Sequence, residues 1–228
     1  MISKIVHKLE PITLVGGGDV SDPAFEQALQ HAPSLIAADG GAQAILQRGK
    51  MPEAVIGDMD SLSGDLKASL SKSLLHEVTE QDSTDFEKCL MRIAAPLIIG
   101  IGFLGGRIDH QLAAFHALVR FPNQPCVLLG DEELVFLCPA KLDLPLVAGT
   151  PVSLFPMQAV TAQGLGLTWS FEQLDLAPGV RIGTSNQAEG AISLSATEAA
   201  LLCILPAECL EAVVTALRAQ RDLWPALA

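Results

Sequence analysis

From Ile12 to about Leu129 one phrase recurs along the chain: a short apolar run, a loop rich in Gly or Asp, then a segment of helical character. Strands that alternate with helices pair as a parallel sheet, because each helix carries the chain back to the end from which the next strand starts. The runs are Ile12–Val15, Leu35–Ala38, Ala54–Ile56, Leu97–Phe103 and Cys126–Leu129. Four of them lead into Gly16-Gly17-Gly18-Asp19, Asp39-Gly40-Gly41, Gly57-Asp58-Met59-Asp60 and Leu104-Gly105-Gly106-Arg107. In an open α/β sheet the loops after the carboxyl ends of the strands line the ligand crevice, so these four loops are expected to converge.

From about Gly130 the pattern changes to short runs broken by Gly and Pro: Val152–Phe155, Ala159–Ala162, Leu167–Phe171, Ala191–Ser195 and Leu201–Leu205. Regularly spaced short strands with turn residues between them predict an antiparallel sandwich or barrel. The expected fold class is therefore α/β + β, with an N-terminal parallel-sheet α/β domain at 1–130, a C-terminal antiparallel β-sandwich at 131–206 and a helical tail at 207–228. In that tail, Ala207 to Leu223 places Leu210, Val214 and Leu217 on one helical face, with Glu208 and Glu211 early and Arg218 and Arg221 late, as the helix dipole favours.

Composition narrows the partners. Half of the 228 residues are apolar, enough for a core without disulfides or structural metal. The formal charge of −12, with only 14 Lys and Arg, argues against a nucleic-acid surface, which needs clustered cations to displace counterions. A phosphate ligand must instead bring a cation or find backbone N–H groups and a few basic side chains. The five cysteines, Cys89, Cys126, Cys138, Cys203 and Cys209, form no C-x-x-C pair and are expected to be reduced core residues. Lys4, His7 and Lys8 fall where a signal peptide needs its apolar stretch, and no run reaches the ~20 apolar residues of a membrane span. A soluble, cytoplasmic protein without membrane partners is the expectation.

Three motifs can carry chemistry. Asp58 and Asp60, two apart in a stretch expected to be extended, would point the same way with Cα atoms ~6.6 Å apart, a spacing at which two carboxylates share a hard cation such as Mg²⁺. A solvated turn that caps the next helix suits the same residues. In Gln81-Asp82-Ser83-Thr84-Asp85-Phe86-Glu87-Lys88, Thr84 and Glu87 match a capping box and Asp85–Lys88 an ordinary i,i+3 pair; Asp85 would then stand in a first helical turn, which attracts phosphate and leaves its carboxylate able to complete a metal site. In Gly105-Gly106-Arg107-Ile108-Asp109-His110 the glycines admit a phosphate to the backbone and Arg107 can grip it, while a plain N-cap at Asp109 explains the same segment. His110 has no second His at metal spacing and is expected at the helix start. The chain lacks G-x-x-x-x-G-K-[ST], G-x-G-x-x-G, H-E-x-x-H and G-x-S-x-G, which weakens P-loop kinase, Rossmann dehydrogenase, zincin and α/β-hydrolase readings.

Taken in order, Asp39-Gly40-Gly41-Ala42, Gly57-Asp58-Met59-Asp60-Ser61, Gln81 through Lys88, Gly105 through His110 and Gly183-Thr184-Ser185-Asn186 resemble the thiamine pyrophosphokinase family, over about Ile12 to Leu205. The resemblance implies an α/β domain followed by a β-sandwich, in a homodimer with active sites between subunits. It implies transfer of the β,γ-pyrophosphate of ATP to the hydroxyethyl oxygen of thiamine, with release of AMP. Asp58, Asp60 and Asp85 would hold Mg²⁺ on the triphosphate; Asp39, Gly40, Gly41, Arg107 and Asp109 would contact the nucleotide; Gln81, Ser185 and Asn186 would line the thiamine site. Where the family often has an acidic residue and an aromatic after that Asn, this chain has Gln187-Ala188, and it contains no Tyr. Trp169 is expected as a half-buried sandwich residue, with a stacking face for the acceptor as the alternative. The departure keeps open a pyrophosphokinase for another small alcohol such as a hydroxymethylpterin. A metal-dependent phosphoesterase and a non-catalytic nucleotide or thiamine sensor are the other readings weighed.

Overall fold

The computed structural model describes residues 3–220 and 224–226. The chain divides into two compact units, Met1–Ala117 with Leu128–Asp131, and Leu118–Val127 with Glu132–Ala228.

The first unit runs β1 (Val6–His7), β2 (Ile12–Val15), α1 (Asp22–His31), β3 (Ser34–Ala38), α2 (Gly41–Gln47), β4 (Ala54–Gly57), α3 (Gly64–Ser69), β5 (Leu75–Glu77), α4 (Asp85–Arg92), β6 (Ile93–Ala94) and β7 (Ile98–Ile101), and α5 (Ile108–Arg120) begins in it. Strand β8 (Cys126–Leu129) runs beside β7. The order β7–β2–β3–β4–β5 is parallel throughout, with Leu14 opposite Ile36 on one side and Gly100 on the other. Every residue of β2, β4, β7 and β8 is buried, as expected of strands covered on both faces. The chain steps outward from β2 through β3 and β4 to β5, then returns to place β7 on the other side of β2. The order therefore reverses between β2 and β7, and such a switch point opens a crevice at the strand carboxyl ends. β7 is shorter than the run Leu97–Phe103 predicts, because Gly102 turns the chain out of the sheet at φ +75°.

The second unit contains β9 (Glu133–Leu137), β10 (Lys141–Leu144), β11 (Pro151–Pro156), β12 (Val160–Leu167), β13 (Phe171–Leu176), β14 (Gly183–Ala196), β15 (Leu201–Pro206) and α6 (Leu210–Ala219). All pairings among its strands are antiparallel. The first part of β14 pairs with β11, in a layer with β15 and β9. Its later part lies between β10 and β12, with β13 beyond. One long strand thus serves both layers of the sandwich, as strands that switch sheets do. The predicted strand Leu167–Phe171 is instead a turn: Ser170 Oγ accepts the Leu167 N–H at 3.1 Å and donates to its carbonyl at 2.7 Å, closing the β12–β13 connection. Strands β9, β10, the short β1, β5 and β6, and all of β13 after Phe171 lie outside the predicted runs.

Helix α6 buries Leu210, Val213, Val214 and Leu217, confirming the apolar face, and ends at Ala219 with Gln220 extended at ψ 128°. Arg221 and Leu223, which the predicted helix includes, lie outside the described residues. All five cysteines are buried and free. Among the described residues no helix is long and apolar enough to cross a membrane. Leu210 is fully buried, so Leu210→Ala is expected to lower the unfolding free energy by about 2–5 kcal/mol in chemical denaturation; a loss below about 1 kcal/mol would mean that α6 is not part of the packed unit.

Candidate functional site

Three non-glycine residues among those described have positive φ: Asp39 at 41°, Met59 at 65° and Ser185 at 65°. Left-handed backbone is uncommon outside glycine and persists where surrounding structure imposes it. Each of the three falls in a segment singled out by its residues.

Asp39 leaves the end of β3 and is 2% exposed. Its Oδ2 accepts the Ser61 N–H at 3.1 Å, and its Oδ1 is buried with no hydrogen-bond partner. The close approach depends on Gly57, where a Cβ would fall 2.6 Å from Asp39 Cβ and 3.1 Å from its Cα. Beyond Gly57 the chain is not extended, as the expected geometry of Asp58 and Asp60 required. Met59 reverses it, and Asp58 Oδ1 accepts the Asp60 N–H at 3.3 Å. The turn still gathers the acids: one carboxylate oxygen from each of Asp39, Asp58 and Asp60 lies within 4.8 Å of the others.

Asp85 is not in that group. It opens α4, whose start is fixed by the capping box: Thr84 Oγ1 accepts the Glu87 N–H at 3.3 Å, and Glu87 Oε2 accepts the Thr84 N–H at 2.9 Å. One turn on, Lys88 Nζ stands 3.0 Å from Asp85 Oδ1 and 3.0 Å from Asp58 Oδ2. Spacing along the chain makes Lys88 only an ordinary i,i+3 partner of Asp85; its second contact comes from a loop 30 residues away. The Lys88 ammonium holds the Asp58 carboxyl below its ordinary pKa, against the effect of burial. Burial pushes Asp85 above its ordinary value, only partly opposed by Lys88. Gln81 Nε2 donates to Asp58 Oδ2 at 3.4 Å, so this residue also joins the group. Glu80 shapes its loop by accepting the N–H groups of Asp82 at 3.0 Å and Ser83 at 3.2 Å and the Ser83 hydroxyl.

A cleft of about 670 Å³ opens at the switch point, lined by Gly17 and Gly18 after β2, Asp39 and Gly40 after β3, and Gly102 and Phe103 after β7, with Asp85, Arg107 and His110. That volume suits a ligand of nucleotide size. The rings of Phe103 and Phe86 pack at a tilt of 39° with centroids 4.4 Å apart, an aromatic pair that no motif of the sequence signals. Gly105 and Gly106 follow at φ +77° and +64°, successive left-handed positions that keep the backbone at the rim bare. Arg107 and Asp109 pair with each other, Nη2 to Oδ2 at 2.5 Å, while largely exposed. Asp109 lies in the first turn of α5. Gly41 starts α2 and is buried.

In the second unit Ser185 marks a shift of register between β11 and β14, and its N–H donates to Ser153 Oγ at 3.0 Å. Asn186 is committed to Trp169: its Oδ1 accepts the Trp169 N–H at 3.2 Å and its Nδ2 donates to the Trp169 carbonyl at 2.9 Å. Trp169 is 65% exposed, not the half-buried residue expected, because the Ser170 turn holds it outside the sandwich.

Residues 25–128 match the family model of the thiamin pyrophosphokinase catalytic domain. Thiamine pyrophosphokinase 1 of Oryza sativa subsp. japonica is 30% identical over 188 residues, covering 74% of this chain and 70% of that protein. This chain belongs to the thiamine pyrophosphokinase family. Thiamin pyrophosphokinase 1 of Caenorhabditis elegans is 29% identical over 182 residues, 71% of this chain and 74% of that one. Among solved structures, yeast thiamin pyrophosphokinase superposes with a TM-score of 0.73 at 15% identity, covering 93% of this chain and 94% of that chain. The enzyme from Geobacillus thermodenitrificans gives 0.71 at 23% identity, over 86% and 97%. These likenesses establish the family fold, an α/β part followed by a β-sandwich.

Because a Cβ at Gly57 has no room beside Asp39, Gly57→Ala is expected to displace that carboxylate and lower stability by about 1–3 kcal/mol. Free Mn²⁺ counted by electron paramagnetic resonance should show weaker ion binding. Unchanged ion binding would mean that Asp39 does not hold its place through Gly57.

Proposed function

We propose that this chain transfers the β,γ-pyrophosphoryl group of ATP to the hydroxyethyl oxygen of thiamine, giving thiamine pyrophosphate and AMP. The observation that carries the reading is the Asp39, Asp58 and Asp60 group beside a glycine-lined cleft, in a chain of this family. The buried, unpartnered Asp39 Oδ1 and the all-carboxylate donor set fit a hard divalent cation such as Mg²⁺. Bound there by Asp39, Asp58 and Asp60, with Asp85 close by, Mg²⁺ would neutralise triphosphate charge and orient it. Transfer of this kind depends on positioning and charge stabilisation more than on covalent help from the protein.

The protein's own groups account for the remainder. The bare backbone of Gly40, Gly105 and Gly106 admits phosphate oxygens, Gly41 serves instead to let α2 pack against the Val15 carbonyl, and Arg107 and Asp109 at the rim contact the nucleotide. Asp85, a carboxylate with a raised pKa, is placed to accept the proton that the acceptor hydroxyl loses as its oxygen bonds to the β-phosphorus and the bond to the α-phosphate oxygen breaks. Gln81 orients the acceptor beside Asp58, while Ser185 and Asn186 shape the thiamine side, Asn186 by fixing Trp169. The nucleotide belongs to residues 1–130 and the acceptor to 131–206, with 207–228 as a tail. The working form is a cytoplasmic homodimer with active sites between subunits.

Incubation with ATP, Mg²⁺ and a panel of small alcohols, including thiamine and a hydroxymethylpterin, with products identified by mass, tests the reading. AMP together with thiamine pyrophosphate is expected. Phosphate released from a monoester without ATP, or ATP bound and never turned over, would overturn it. Asp39→Asn and Asp58→Asn should each lower kcat more than tenfold, about 1.4 kcal/mol of barrier, with an unchanged circular dichroism spectrum. Asn186→Ala should raise KM for thiamine and leave KM for ATP in place; equal changes in both would remove Asn186 from the acceptor side. Chelation of divalent ions should abolish turnover, and added Mg²⁺ should restore it.

A further inference from the structure

Lys88 is 2% exposed, and a lysine is almost never so deeply buried unless it is paired. Its ammonium lies 3.0 Å from one oxygen of Asp58 and 3.0 Å from one of Asp85. The capping box that fixes the start of α4 fixes Asp85 at the first position and Lys88 one turn later, so the ammonium belongs to the framework and not to a mobile surface chain. Its neighbours on the loop side are Asp58 and, through the same Oδ2, the Gln81 amide. Asp58 therefore meets the group with Oδ2 already shared between two donors and Oδ1 shared with the Asp60 N–H, whereas Asp39 Oδ1 has no partner.

A unit positive charge within hydrogen-bond reach of two carboxylates opposes a second cation brought to the same carboxylates. With Asp39, Asp58, Asp60 and Asp85 ionised, the ammonium lowers the formal charge of the site from −4 to −3. We propose that Lys88 is the built-in counter-charge of the site, a positioning residue that keeps Asp58 beside Asp85 and holds the site's affinity for a free divalent cation low, so that the cation is taken up chiefly together with a triphosphate. Without the ammonium, the bare carboxylates would bind the ion tightly by themselves, and less of its charge would remain for phosphate oxygens. Asp39 and Asp60, which do not touch Lys88, are then the ligands that the ion meets first. The inference rests on the reading of this group as a cation site and adds the determinant of its affinity.

Mn²⁺ titration of this chain in the absence of nucleotide, with free ion counted by electron paramagnetic resonance, tests it. Lys88→Met is expected to tighten Mn²⁺ binding at least tenfold, equal to 1.4 kcal/mol. Lys88→Arg, which keeps the charge, should stay within about threefold of the wild type, and Lys88→Gln should follow Lys88→Met. In thermal melts, Mg²⁺ should raise the midpoint of Lys88→Met more than that of the wild type, because the ion replaces the missing ammonium. Unchanged or weaker Mn²⁺ binding by a folded Lys88→Met would overturn the proposal. So would failure of both neutral variants to fold with and without Mg²⁺, since the ammonium would then serve folding alone. Wild-type protein that binds no Mn²⁺, with or without ATP, would mark the cation site itself as misassigned, a result distinct from unchanged affinity in the variants.

Discussion

Carboxylates crowded together at the ends of β3 and β4 and the start of α4 repel one another, and the buried ammonium of Lys88 is the attraction that holds Asp58 beside Asp85. Truncating one member of such a group leaves an uncompensated buried charge, which costs far more than the net worth of any one pair. The site is for that reason built as a unit. Asp58 is fixed by Lys88 and Gln81, Asp85 by Lys88 and its place in a capped helix, and Asp39 by Ser61 and by the absence of a side chain at Gly57. The one buried side-chain oxygen among the described residues left without a hydrogen bond, Asp39 Oδ1, is where this arrangement is incomplete by itself.

That unit is positioned by an ordinary consequence of sheet order. The strand order reverses between β2 and β7, and the crevice there is lined by the loops after β2, β3 and β7, those after β2 and β7 being joined by the Gly18 N–H to the Gly102 carbonyl at 3.1 Å. Glycine at those exits limits the side chains that crowd the crevice, and the cleft measures about 670 Å³. In the second unit the same economy appears in another form. A register shift at Ser185 turns Asn186 onto the backbone of Trp169, and the Ser170 turn keeps the indole outside the packed layers. The three positive-φ residues, Asp39, Met59 and Ser185, mark where backbone strain is spent to aim a functional side chain or its neighbour.

Much of the first unit was readable from hydrophobic runs: β2, β3, β4 and β8 start or end within a residue of the runs that predict them, and the capping box at Thr84 is local chemistry that needs no tertiary partner. Misreadings arose where a non-local or side-chain-to-backbone contact overrules a pattern. Leu167–Phe171 looks like a strand until Ser170 closes it into a turn. Asp58 and Asp60 look like an extended pair until Met59 takes a left-handed backbone. Trp169 looks like a half-buried sandwich residue because a large aromatic usually packs, and nothing in its neighbours announces that Asn186, 17 residues on, will hold it.

Sequence order alone determined the alternation of strands and helices, the change to short strands after Gly130, the aspartates and glycines at the strand exits, and, through five motifs in series, the family. These are statements about periodicity and residue type, and local physics is enough to make them. Which acids stand together was decided only by the tertiary structure: Asp39 joins Asp58 and Asp60, while Asp85 meets them across the Lys88 ammonium. Those distances depend on a glycine beside a carboxylate in one strand exit and on a lysine contact across 30 residues, and no spacing along the chain encodes either.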